Sequence, residues 1–123
     1  MDDHQPVFDG RNATIVAPNA STNVVVVPEA KVMLIKRFHV TNNNAVAARV
    51  RFWDSFTDSG GTLHDAVTNP VLLADIRALP NETIDLTSSA GLAKAIGTVI
   101  ARSTQAAADP NDVTAGAWGT FEE

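Results

Sequence analysis

The chain contains no cysteine. Disulfide staples, thiol catalysis and cysteine-based zinc sites are therefore excluded. Small secreted domains often carry disulfides, so their absence points to assembly inside a cell. Positive charge is also scarce: nine Lys and Arg stand against fourteen Asp and Glu, a net charge of −5. That balance argues against a general nucleic-acid binder. There is no apolar run near the roughly 20 residues of a membrane span. The acidic start, MDDHQPVFDG, lacks the apolar core of a signal peptide. Neither G-x-x-x-x-G-K-[ST] nor G-x-G-x-x-G occurs, so nucleotide binding has no support. None of the three histidines lies in a G-x-S-x-G frame or a related one. No catalytic residue, metal ligand or cofactor is assigned.

What is present fits one globular domain: 123 residues, 45% hydrophobic and 19% charged. A chain of this length can bury a core without staples. Residues 1–12 are polar and read as an extended N-terminal arm, with Val7 and Phe8 as anchors; residues 13–123 form the domain. Short β-branched or alternating runs bounded by turn formers predict strands over 14–17, 23–27, 31–41, 45–53, 71–79, 82–87, 98–104 and 113–121. The run VTNNNAVAARVRFWD, with Asn42, Asn43 and Asn44 able to adopt left-handed angles, predicts an antiparallel hairpin between the third and fourth of these.

In the third strand Leu34, Phe38 and Val40 should face inward, and Ile35, Arg37, His39 and Thr41 outward; Lys36 breaks the pattern. In the fourth, Val46, Ala48, Val50 and Phe52 should face inward, and Arg49, Arg51 and Trp53 outward. Residues 54–70 read as a long surface loop, 88–97 as a short helix or irregular crossing, and 106–112 as a turn. Gly116 and Gly119 in the last strand suggest close backbone approach. About eight short strands with no strand–helix rhythm predict an all-β, antiparallel two-sheet β-sandwich, jelly-roll-like.

Chemistry-bearing residues are few. Asp54, Asp58 and Asp65 surround Gly60 and Gly61, but their spacing departs from a calcium loop. Aspartates in turns commonly bond their own backbone. Asp75 and Asp85 are acids that nothing in the sequence brings together. On the expected hairpin, Arg37, Arg49, Arg51 and Trp53 share one face. Such a face is solvated, with arginine stems covering the sheet, or an interface, where arginine and tryptophan are favoured anchors, or, last in order, a nucleic-acid contact. Trp118 is a second anchor of that kind.

The order of VTNNNAVAARVRFWD, a long loop, NETIDLTSSAGLAKAIGTVIARST and a last strand ending TFEE resembles the small β-sandwich decoration, or cement, proteins of tailed-bacteriophage capsids. The resemblance covers about residues 24–123 and rests on hydrophobics, turns and small residues. It implies a non-catalytic virion protein, assembled in the bacterial cytoplasm, that sits on the outer capsid surface. It further implies two partners, the major capsid protein and further copies of this chain in a homotrimer, with no nucleic acid or membrane partner. Val7, Phe8, Arg37, Arg49, Arg51, Trp53 and Trp118 would make the contacts. Related sandwiches in tail or head fibres imply the alternative, a module that binds host-surface glycan or receptor through Trp53, Asp54, Asp58, His64 and Asp65.

Overall fold

The computed structural model describes residues 20–104 and 113–122, together with the backbone of 5–6 and 13–14. Val7, Phe8, most of the expected 14–17 strand and the 106–112 turn lie outside the described residues. The strands are β1 (Gln5–Pro6), β2 (Ala13–Thr14), β3 (Thr22–Val26), β4 (Val32–Asn42), β5 (Ala48–Thr57), β6 (Leu63–His64), β7 (Leu72–Ala78), β8 (Glu82–Thr87), β9 (Ala93–Ala95), β10 (Thr98–Ser103) and β11 (Val113–Glu122). No helix occurs among the described residues.

One sheet places β1 and β2 on β11, then β4, then β8 and β9; the other runs β3, β10, β5, then β6 and β7. All pairings are antiparallel. Segments that share an edge form one column, which gives four columns per sheet. In chain order the columns read 1-8-3-6 and 2-7-4-5. That interleaving is the double Greek key of a jelly roll, and the expected two-sheet sandwich is the fold. The sheets face each other across a core of Met33, Ile35, Phe38 and Val40 on one side and Val50, Phe52, Val99 and Ala101 on the other. Phe38 and Phe52 meet across it with centroids 4.8 Å apart.

The expected hairpin is not formed. β4 and β5 lie in different sheets, so 43–47 is an arch between layers rather than a tight turn. The cause is Asn42. Its side chain is fully buried, and its amide donates to the carbonyls of Val46 at 2.9 Å and of Ala78 and Leu79 at 3.2 Å. Its Oδ1 accepts the Asn44 N–H at 2.9 Å. Two crossings, β4–β5 and β7–β8, are thus tied together at one end. None of the three asparagines takes a positive φ. At the other end buried Asp54 has the matching role: its two oxygens accept the N–H groups of Ile96 and Gly97 at 2.9 Å, and the Val27 N–H reaches the Gly97 carbonyl at 3.0 Å.

A β-bulge corrects the inward set of β4. Arg37 faces Trp118 and Ile35 faces Gly119, leaving Lys36 as the extra residue. Met33 and Ile35 therefore point inward before the bulge and Phe38, Val40 and Asn42 after it; Leu34 points out. The same place interrupts the opposite edge, where 88–92 loops out between β8 and β9, and Ser88 and Leu92 donate to the carbonyls of Lys36 and Ile35. Of the short helix or irregular crossing expected over 88–97, the irregular crossing is found at 88–92, and Ala93–Ala95 is strand β9. A second bulge, at Leu73, leaves Leu72 exposed. Val46, expected inside, is 51% exposed because it belongs to the arch. β5 runs on to Thr57, so Asp54 is a strand residue and not a loop residue.

Two stability outcomes follow from these contacts. Asn42→Ala leaves three carbonyls and one N–H without their partner, and is expected to cost about 3 kcal/mol in urea unfolding. Gly119→Ala would set a Cβ 1.9 Å from the Leu34 carbonyl oxygen. That strand cannot yield without breaking its ladder, so a loss of about 3 kcal/mol is expected, against under 0.5 kcal/mol for an alanine at exposed Gly60.

Candidate functional site

The inter-sheet arch divides the residues that the sequence placed on one face. Arg37 lies on the outside of the first sheet; Arg49, Arg51 and Trp53 lie on the outside of the second. The molecule has two arginine–tryptophan faces, back to back.

On the first face Arg37 stacks over the Trp118 ring, 4.5 Å from its centroid, as a cation–π pair. Its Nε donates to Asp85 Oδ1 at 2.7 Å. His39 Nδ1–H donates to the same oxygen at 2.8 Å, while its Nε2 meets the Thr41 hydroxyl at 3.0 Å. His39 also meets Trp118 edge-on. Arg37, and after it His39, holds the Asp85 carboxyl below its ordinary range. The Asp85–His39–Thr41 order is that of an acid, base and hydroxyl relay. Acyl transfer also needs N–H donors aimed at the developing oxyanion. β4 is flanked by β11 and β8, so its N–H groups here lie in the plane of the sheet, committed to the ladders. The cluster orders a polar, aromatic surface on the outside of this sheet.

The second face is more basic. Arg49, Arg51, Arg77 and Arg102 come from three adjacent strands, with Asp75 among them. Asp75 takes a side-on pair of bonds from Arg49, Nε to Oδ1 at 2.8 Å and a shorter one from Nη2 to Oδ2, and a longer one from Arg51 at 3.4 Å. The Arg49 partner pulls the Asp75 carboxyl down, and Asp75 raises Arg49 in return. Trp53 points outward as expected yet is only 8% exposed, and it lines one pocket together with Ala66 of the 58–69 loop. A pocket of about 220 Å³ remains between that loop and the arginines. Asp75 and Asp85, which the sequence left unplaced, sit on opposite faces, each beneath an arginine. Arg77 and Arg102 were not singled out from the sequence; their period-2 positions within β7 and β10 were the only signal.

The loop is held by its own acids. Asp58 Oδ1 accepts the N–H groups of Gly60 and Thr62, and Asp58 Oδ2 accepts His64 Nε2–H at 2.9 Å. His64 Nδ1–H donates to the Asn69 carbonyl at 2.8 Å, and the ring stacks on Phe56 at 4.5 Å. Asp65 Oδ1 accepts the N–H groups of Val67 and Thr68. Both partners of the His64 ring are acceptors, so the geometry is that of an imidazolium. Asp58, and after it the Asn69 carbonyl, raises the His64 pKa; the His64 bond lowers that of Asp58. Among the described residues no group of three His, Asp or Glu is arranged to hold a metal ion.

The fold and these two faces define a jelly-roll domain with an organised surface on each sheet. No protein-family model matches the chain, and no curated protein sequence matches it.

The loop lock has a signed pH dependence. The His64 contribution is complete below its unfolded pKa near 6.5 and is lost as pH rises through its raised folded value. The Asp58 contribution is complete above about 3.9 and is lost as pH falls through its depressed value. Between those limits the loop is tightest. An NMR titration of the His64 ring is expected to give a pKa above 6.5 that falls toward the ordinary value in Asp58→Asn, with faster amide exchange at Gly60 and Thr62.

Proposed function

We propose that this chain is a structural virion protein, a capsid decoration protein that binds the outer surface of a phage shell and clamps neighbouring capsid subunits without catalysis. The observation that carries the reading is the back-to-back pair of faces. A clamp must touch two neighbours at once. Here a rigid sandwich presents Arg37 with Trp118 on one side and Arg49, Arg51 and Arg102 on the other. Arginine and tryptophan are the residues favoured as interface anchors. The resemblance of residues 24–123 to small phage decoration proteins supports the same reading, and jelly rolls recur in viral capsid domains. Two weak contacts on one rigid body add by effective concentration. Shell stabilisation then follows by mass action. A homotrimer bound to the major capsid protein is the form proposed.

A second reading, a fibre module that recognises host-surface glycan, is favoured by one observation: the 58–69 loop closes over the second face and leaves a pocket there.

Light scattering after size exclusion is expected to give a mass near three times 13.0 kDa. Co-sedimentation with undecorated shells is expected to fall at least about tenfold, the equivalent of 1.4 kcal/mol, for Arg37→Glu with Trp118→Ala and separately for Arg49→Glu with Arg51→Glu. A chain that ignores shells in every form removes the decoration reading. Loss from one face alone removes the clamp but keeps the attachment.

A further inference from the structure

The second face carries a conflict that its own residues leave partly unresolved. Arg49 stands directly opposite Arg77, and Arg51 directly opposite Arg102. Like charges facing each other across adjacent strands destabilise a sheet. Asp75 answers Arg49 side-on but reaches Arg51 only at 3.4 Å. Arg102 donates its Nε to the Ser21 hydroxyl at 3.0 Å, a neutral partner, and Asp65 of the 58–69 loop acts on it through space, without a hydrogen bond. Violations of local rules of this kind concentrate at functional sites. The excess positive charge is not spread over open surface: Arg49, Arg51 and Arg102 line the pocket of about 220 Å³ whose other walls include Trp53 and Ala66.

We infer that this pocket binds an acidic monosaccharide unit, with its carboxylate between the Arg51 and Arg102 guanidinium groups and its ring against Trp53 and Ala66. The planar guanidinium fork matches a carboxylate bidentately. Arg51 and Arg102 stand at directly opposed positions of neighbouring strands and both line the pocket, so their free N–H groups are within reach of one small ligand. The volume is below the usual range for drug-sized ligands, so the occupant is small. The indole and the Ala66 methyl form an apolar wall, which a bare inorganic anion would not use. A net charge of −5 repels polyanions at a distance, which favours a ligand with one isolated charge. This inference rests on the glycan-recognition reading and names its ligand class.

The test is an NMR titration of the whole chain with glucuronate, glucose and inorganic phosphate in parallel, following the Trp53 indole N–H and the amides of residues 58–69. Glucuronate is expected to give saturable shifts there, with no response to glucose or phosphate at the same concentration. Arg102→Gln is expected to weaken glucuronate at least about tenfold while the rest of the spectrum is kept. Arg51→Gln serves if the first variant fails to fold. Glucose binding as tightly as glucuronate overturns the acidic class and leaves glycan recognition standing. Phosphate binding as tightly as glucuronate makes the pocket a plain oxyanion site and overturns the sugar. Unchanged glucuronate binding in both variants overturns the arginine assignment. Silence with both sugars overturns this inference and the glycan reading together.

Discussion

One buried amide sets the architecture. Asn42 ends the longest strand with no exposure to water, and a polar side chain there must have every hydrogen-bonding atom answered. The answers come from the arch itself, at Val46 and Asn44, and from Ala78 and Leu79 at the end of β7 in the other layer. Once they are made, the chain cannot turn back beside β4 and must arch to the second sheet. Asp54 fixes the opposite end by the same means. The hydrophobic core is generic for a sandwich of this size. These two polar side chains choose which sandwich it is, because they decide which crossings lie side by side.

The division of the arginines follows directly. A hairpin would have placed Arg37 beside Arg49 and Arg51 in one basic patch. The arch sends them to opposite outsides, where each group finds a tryptophan and an aspartate of its own. A single basic patch becomes two arginine faces on opposite sides of the sandwich.

Period-2 alternation was enough to place Ala48, Val50 and Phe52, and Val113, Ala115 and Ala117, on inner faces, because neither run contains an inserted residue. It failed in β4 at Lys36. An extra residue is defined only against a partner strand, and the partner, β11, is about 80 residues away along the chain. Asn42–Asn44 predict a hairpin turn and form an arch instead, since composition records the break and not its destination. The close approach expected at Gly119 holds, with the Leu34 carbonyl against it. Arg102 escaped notice for the same reason as the bulge: its significance lies in standing opposite Arg51, and cross-strand register belongs to the tertiary fold. Side-chain chemistry within a loop was more local, and the turn-stabilising use of Asp58 and Asp65 is what their spacing to glycine and threonine suggests.

The interruption between β8 and β9 also bears on how copies of this protein behave when crowded. An uninterrupted outer strand offers a row of unpaired N–H and C=O groups on which a second molecule can grow the sheet. Here the edge is broken into six residues and three, with 88–92 bulging out between them opposite Lys36. An incoming strand would lose register after a few bonds. The kink that bends the central strand therefore also blunts the rim, so neighbouring copies can stand close together without fusing edge to edge.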